Sequence, residues 1–597
     1  MKKIPHDIVI LVASLLLFAS CKGVLDVAPQ NIIPKDVVFA DESTVEAYMA
    51  SLLYDLPIED FRFSVGSGFN AWPSGTYLTH MTDEALGVNG GGYDLGNGDR
   101  LRWWGYSQVR NANAFIASIE SSPLAEEKKR NWLGEAKFIR AYYYFAMVKR
   151  FGGVPLITSV QNFDGSNLEE LQVPRNSEKE LYDFIAKELD EAVELLNETS
   201  PKGRPNKYVA YALKSRAMLY AGAIAKYGTV QLDGLLGFPA SEADSYWQAA
   251  YDAAKAIIDS KKYALYEKNA DKTQNFQDLF LDGNNTEIIL AKDFRVSAST
   301  AHGWDLWNLP YGVRAPGGYG SRINPTLELS EQFEYIDGTE GTLRLTDGSG
   351  NAIRYDRPAD LFQGKDPRFA ATIIYPFSTW RSTVIDVQAG IIDGNERITA
   401  GDYNTLYKGE HVIGLNGIGG GLEVSQTGFY IRKYLNPAYD RSVVNANTSG
   451  TIGSEQQYIE MRYAEVLLNF AEAAAELGGE KLADAKIAIN AVRTRAGIRE
   501  LTDSEVTVAR VRHERQIELA FENHRYWDIR RWRIADQLLN NSRFMMIMPF
   551  RVMDDNTYIF EKAQTIGTKT FLPKLYYEQI DPAEITRNPK LIQNPLY

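Results

Sequence analysis

The sequence predicts a mainly α-helical protein: antiparallel helical hairpins form a scaffold, and an irregular, loop-rich lobe interrupts them before the last pair. Three observations carry this. Apolar residues recur at helical spacing in paired segments, as in Leu181, Ile185, Leu189, Val193 and Leu196. Helical stretches stop on glycine and proline, as in Gly152-Gly153 followed by Pro155. Residues 265–455 lose the helical period and become rich in Gly, Asn, Pro and aromatic residues.

Taken in order, Lys2 and Lys3 precede an apolar run from Ile8 to Ala19 that is too short to span a bilayer comfortably, so residues 1–20 read as a signal peptide. Phe18-Ala19-Ser20-Cys21 reads as a lipobox, small residues before a cysteine that is acylated, with Phe18 where Leu is usual. Cys21 is the one cysteine, so no internal disulfide can form and the fold rests on its core. Residues 21–40, with Pro29 and Pro34, form an extended, lipid-anchored leader.

The scaffold occupies 41–264. It begins with a helix over 42–56, capped by Asp41 or Ser43. A hairpin of 103–120 and 126–151 follows, broken at Pro123, then a pair over 178–197 and 207–226, then a helix over 246–260. The stretch Y-V-A-Y-A-L-K-S-R-A-M-L-Y-A-G-A in 208–223 puts small residues where helices must approach closely. Residues 62–100 are too dense in Gly and Asn to stay helical and read as irregular surface chain. Their G-x-G-x-x-x-G is no dinucleotide fingerprint, because no apolar strand precedes it. After the lobe, 456–597 carries a helix over 458–477, Gly478-Gly479, a helix over 482–496, an arginine-rich segment and a C-terminal tail.

Composition narrows the function classes. Of 597 residues, 45% are hydrophobic and 24% charged, as in an ordinary globular protein. A net charge of −13 argues against nucleic acid and against a polybasic membrane contact. The 34 Tyr and 10 Trp exceed what a core needs and suit a surface that stacks on flat ligand faces.

Arg510 to Arg533 reads R-V-R-H-E-R-Q-I-E-L-A-F-E-N-H-R-Y-W-D-I-R-R-W-R, with seven Arg and four carboxylates around Ile517, Ala520, Phe521, His524 and Trp527 at helical spacing. Arginine cannot lose its charge and forks onto carboxylates, so this density predicts a structural helix of paired, partly buried ions. His513-Glu514 begins a zinc-protease helix, but Ile517 stands where the second His is required. No nucleophile elbow, phosphate loop or zinc cluster is present elsewhere. D-G-N-E-R at 393–397 fails as a calcium loop because Arg397 takes a ligand place. Neither a catalytic residue, a metal ligand nor a cofactor is predicted.

The segment resembles the E-R-x-x-E-L-A-F-E-x-H-R-x-x-D-[IL]-x-R-W pattern of the SusD/RagB family, through Glu514, Arg515, Glu518 to Glu522, His524, Arg525, Asp528, Ile529, Arg531 and Trp532. Further similar segments follow the family's order, among them P-T-L-E-L-S-E-Q-F (325–333), K-D-P-R-F-A-A-T-I-I-Y (365–375), G-F-Y-I-R-K-Y (428–434) and the tail N-P-K-L-I-Q-N-P-L-Y. The resemblance implies four tetratricopeptide-like hairpins in a right-handed superhelix. It further implies a surface-exposed, lipid-anchored outer-membrane protein that binds oligosaccharide or polysaccharide without catalysis. A TonB-dependent, SusC-like transporter is the implied partner. Two other readings are a helical-repeat assembly lipoprotein that binds no sugar and a surface glycan hydrolase.

A sugar ring offers a face of C–H groups and a rim of hydroxyls, which aromatic platforms and polar side chains hold together. Residues 302–319 set Trp304, Trp307, Tyr311, Arg314 and Tyr319 in a Pro/Gly loop within the lobe at 265–455, while Trp380-Arg381 lies further on. Trp72 and Tyr77 lie in the first Gly-rich stretch, with Asp83 the best polar candidate beside them. The flanking Gly and Pro predict that these aromatic side chains are exposed.

Overall fold

The structure, a computed structural model, describes residues 38–70, 77–88, 101, 103–314, 319–421, 423–439 and 453–597. Cys21, the signal peptide and most of the leader lie outside the described residues, as does Trp72.

The first helix, α1 (Glu42–Tyr54), starts where Asp41 accepts the Thr44 backbone N–H at 3.0 Å. There follow α2 (Tyr106–Ile119), α3 (Glu126–Phe151), α4 (Glu178–Leu195), α5 (Lys207–Tyr227) and α6 (Ala243–Ser260). Their ends follow local chemistry. Ser177 and Glu180 close a capping box on α4, whose loss costs about 1 kcal/mol. Gly152 ends α3 at φ 73°, a conformation that favours glycine. Each helix from α2 to α6 packs on the next. Close approach of α5 and α6 depends on Gly222, where a Cβ would stand 2.4 Å from the Trp247 indole.

The chain then leaves the stack through α7 (Lys272–Leu279) and the lobe, and returns as α8 (Tyr463–Leu477) and α9 (Leu482–Ala496). Helix α8 packs on α5 and α6, so the helical stack resumes where it was interrupted. Residues 458–462, expected to be helical, instead form a strand antiparallel to Ile288–Lys292. The apolar run Tyr458-Ile459 continues into the helix without a turn signal, and only pairing with a segment far back in the chain reveals the strand. This pair sets the entrance and exit of the lobe side by side.

The lobe is held by short strands. Ala85–Gly87 pairs antiparallel with Ile323–Pro325, so the segment around residues 77–88 packs with the lobe. The hairpin Ser542–Val552 and Thr557–Lys569 from the tail joins Gly390–Asp393 and Glu396–Ile398 in a four-stranded sheet. One continuous hydrophobic core runs through scaffold and lobe.

The arginine-rich segment ties the two together. It is two helices, α10 (Val508–Glu518) and α11 (His524–Arg531), where one was expected. Between them Phe521 and Asn523 adopt φ 63° and 64°, and the Phe521 N–H donates to the Glu84 carboxylate at 3.2 Å. Glu518 and Glu522 both reach Arg462, at 2.6 and 2.7 Å. Glu518 also accepts from Arg368 of the lobe at 2.9 Å and from Arg495 of α9. Glu522 accepts from Lys433 of the lobe at 2.8 Å. Glu514 bridges Arg368 at 2.6 Å and Arg493 at 2.8 Å. These groups are all buried. The charges therefore act as a clasp: removing one member leaves the others unpaired in low dielectric, at about 3–5 kcal/mol.

Candidate functional site

The short helix Trp304–Asn308 carries two indoles in the lobe, and both are buried. Trp304 is buried: its indole N–H donates to the Lys433 carbonyl at 3.1 Å, and Phe61 and Tyr77 pack against its ring. Trp307 is buried beneath Tyr319, whose ring stacks on it at 4.6 Å and 28° and is itself 42% exposed. Gly303 makes room for the indole, since a Cβ there would stand 2.6 Å from Trp307 Nε1. Its glycine serves close packing, so the Gly neighbour that suggested exposure has the opposite meaning.

Around this stack, Arg322 lies 5.1 Å from the Trp307 ring and 5.4 Å from Tyr319. Its guanidinium pairs with Glu423 at 2.8 Å, and Arg314 meets the other oxygen of the same carboxylate at 3.0 Å. The Gly320 N–H also donates to Glu423, at 3.2 Å. Arg314 in turn covers Tyr311, 4.5 Å from its ring centroid. Tyr311 rests on Gly421, where a Cβ would stand 2.4 Å from the phenol. Glu423 and Ser321 take positive φ, 58° and 56°. Such backbone costs on the order of 1–3 kcal/mol and persists where its surroundings over-determine it.

From beneath, His80 Nε2 donates to the Arg322 carbonyl at 2.9 Å, while Nδ1 accepts the Tyr77 N–H at 3.2 Å. Burial first, and then the Lys569 charge, press this imidazole down to about 3, so it stays neutral and keeps that tautomer. The Arg322 backbone is thereby pinned to the segment that follows residue 76.

The predicted candidates thus divide. Trp307, Tyr311 and Arg314 come together, with Tyr319, Arg322 and Glu423. Tyr77 and Trp304, expected at the surface, form the buried layer below, because the inner side of the lobe packs into the core it shares with the scaffold. Trp380 is also buried, in a two-residue hairpin whose turn residues Arg381 and Ser382 take φ 49° and 65°. The Arg432 guanidinium lies 5.8 Å from its ring. Asp83, the best polar candidate, is taken by the scaffold: Arg525 forks onto it at 2.8 and 2.6 Å. Burial raises the Asp83 pKa, and the Arg525 charge more than offsets that, holding it below its ordinary value. Glu423 was missed because nothing near it in sequence marks it, and Arg322 because its partner lies a hundred residues away.

The arrangement is a ring platform backed by a second ring, edged by two guanidiniums that share one carboxylate. It offers an apolar face beside fixed donors and acceptors. Among the described residues no group of three or more His, Cys, Asp or Glu is placed to hold a metal ion.

The chain belongs to the SusD family, whose profile it matches over residues 286–597. Residues 88–219 match a second profile, described as starch-binding associating with outer membrane. A SusD-like protein of Bacteroides ovatus is 25% identical over 600 residues, covering 95% of this chain and 91% of that relative. Two crystal structures from Bacteroides fragilis share the fold. One, a SusD-like protein, superposes with a TM-score of 0.67 at 24% identity, covering 96% of this chain and all of that one. The other, described as a SusD-like carbohydrate binding protein, gives 0.66 at 25%, covering 93% of this chain and all of the other.

Proposed function

We propose that this protein binds oligosaccharide or polysaccharide at the cell surface, without catalysis, and delivers it to a TonB-dependent, SusC-like transporter in the outer membrane. The observation that carries the reading is the exposed Tyr319 ring stacked on Trp307 and edged by Arg314, Arg322 and Glu423. A pyranose lays its C–H face on such a ring, and its hydroxyls reach the guanidiniums and the carboxylate. Membership of the SusD family, a second profile described as starch-binding, and a fold neighbour described as carbohydrate binding support the same ligand class. Acylation of Cys21 anchors the chain, because each buried methylene contributes about 0.8 kcal/mol and several acyl chains make release slow. Handover favours modest affinity and fast dissociation.

Calorimetry of the protein across a polysaccharide panel tests this. At least one glycan is expected to bind saturably, and Tyr319→Ala should weaken that binding about tenfold, or about 1.4 kcal/mol. No binding to any glycan or glycopeptide would sink the reading. Copurification of a transporter with the wild-type chain tests the partner separately.

A further inference from the structure

On the scaffold, away from the aromatic platform, α6 and α9 flank α8 and leave a groove of about 730 Å³ between them. Its floor is Tyr463, Leu467 and Phe470, spaced along one face of α8. Its walls are Ile258 of α6 and Ala488 and Ala491 of α9, and the two alanines are what keep the groove wide. Ile487 stands at the lip and is 70% exposed. Leu467, Phe470 and Ala488 are buried, while Tyr463, Ile258 and Ala491 are half-buried, so the apolar surface open to a guest is that of these last three together with Ile487.

The rim has a definite charge. Four carboxylates line it: Asp259, Glu267, Asp484 and Glu500. Lys255 pairs with Asp259 at 2.7 Å and Lys272 with Glu267 at 3.3 Å. Arg495, which also lines the groove, is committed to the buried Glu287 and Glu518. Asp484 and Glu500 receive only hydroxyls, from Tyr251 at 2.6 Å and Thr494 at 2.7 Å, and neither is in an ion pair among the described residues. They sit near opposite ends of α9, whose 15 residues extend about 22 Å.

We propose that this groove docks an amphipathic helix of a protein partner, about four turns long, with apolar residues at i, i+3, i+4 and i+7 and a basic residue at each end. The apolar face covers the α8 floor and Ile487, completing a bundle with α6, α8 and α9. The basic ends meet Asp484 and Glu500. Like charges at those ends leave two carboxylates facing repulsion, so the groove discriminates by sign as well as by shape. The inference stands independently of the glycan reading, since it uses none of the platform residues.

The probe is a labelled sixteen-residue peptide with leucine at those positions, alanine and glutamine elsewhere, and two lysines at each end. Its counterpart has glutamates at the ends. Fluorescence anisotropy with the full chain should show saturable binding of the lysine peptide, at least tenfold weaker binding of the glutamate peptide, and weakening with added salt. Ile487→Asp changes an exposed side chain and should weaken the lysine peptide at least tenfold with an unchanged melting temperature. The double variant Asp484→Lys, Glu500→Lys should reverse the preference between the two peptides. Equal binding of both peptides, or binding indifferent to Ile487→Asp, overturns the proposal. Self-association of the chain in sedimentation equilibrium that Ile487→Asp abolishes also overturns it, by making a second copy the occupant.

Discussion

Two clusters in this molecule use the same parts to different ends. In the clasp, Glu518 is surrounded by Arg368, Arg462 and Arg495; in the platform, Glu423 is shared by Arg314 and Arg322. Both lie beside aromatic rings, with Phe280 5.6 Å from the Arg462 guanidinium and Trp307 5.1 Å from that of Arg322. Exposure separates them. The Glu518 side chain is 0% exposed and the Glu423 side chain 23%. In the dry cluster the carboxylates are committed to guanidiniums of the fold, and losing one partner strands a charge. At the half-open cluster, water or a ligand hydroxyl can exchange onto the same atoms at little cost. Arginine, carboxylate and ring together do not define a binding site; access to solvent does.

The largest effect is expected from Glu518→Gln. It removes the charge that three guanidiniums share, and the unfolding free energy should fall by about 3–5 kcal/mol in urea denaturation. A loss below 1 kcal/mol would show that the clasp is not the element holding lobe to scaffold.

Acid should act on the clasp next. Burial raises the pKa of Glu514, Glu518 and Glu522 in the clasp, and of Glu472 of α8, which pairs with Arg531 of α11 at 2.6 Å; the surrounding cationic groups more than offset it. Glu472 ends at about 2 and the others also lie below their ordinary value. Folded values below the unfolded one mean stability that is full above about pH 4.5 and lost as pH falls from there toward 2. Glu84 opposes the trend. Burial, then the neighbouring Asp83 charge, raise it to about 7, so its contribution is full below about 4.5 and lost as pH rises to 7. Urea midpoints measured from pH 5 to pH 3 should therefore fall steeply. A flat profile below pH 4.5 would contradict the buried pairing.

The smallest effects on stability, and the most telling, come from a matched pair. Arg525→Ala strands Asp83 and should cost about 3 kcal/mol while leaving the glycan affinity of the folded protein within twofold. Tyr319→Ala should do the reverse, with a stability change near 0.5 kcal/mol and the tenfold loss of affinity stated above. A folded Arg525→Ala protein that had lost glycan binding would erase the distinction between the two regions.

Much of the fold was legible from residue order. Helices α3 and α9 fall where periodicity and Gly caps put them, because their signals are local: a 3.6-residue stripe, a cap, a stop. The arginine-rich motif announced buried ion pairs, since charge of that density on an apolar stripe must be neutralised. Two departures from the expected elements have non-local causes. Strand 458–462 and the break at residues 519–523 both answer to partners far away in sequence, Ile288–Lys292 in one case and Glu84 in the other.

The candidate site was legible in residue type and not in position. Trp304, Trp307, Trp380 and Tyr77 were recognised as aromatic residues in irregular chain, but a ring in a loop is equally suited to cover a lobe's core or to face a ligand. Residue order carries the helical hairpins, the family and the supply of rings and charges. Only the tertiary structure decided that Tyr319 lies outermost, that Asp83 is already held by Arg525, and that Glu423 joins Arg314 to Arg322. Solvent exposure belongs to the packed whole. At this site it is set by the Trp307–Tyr319 stack together with contacts to Glu423 about a hundred residues away.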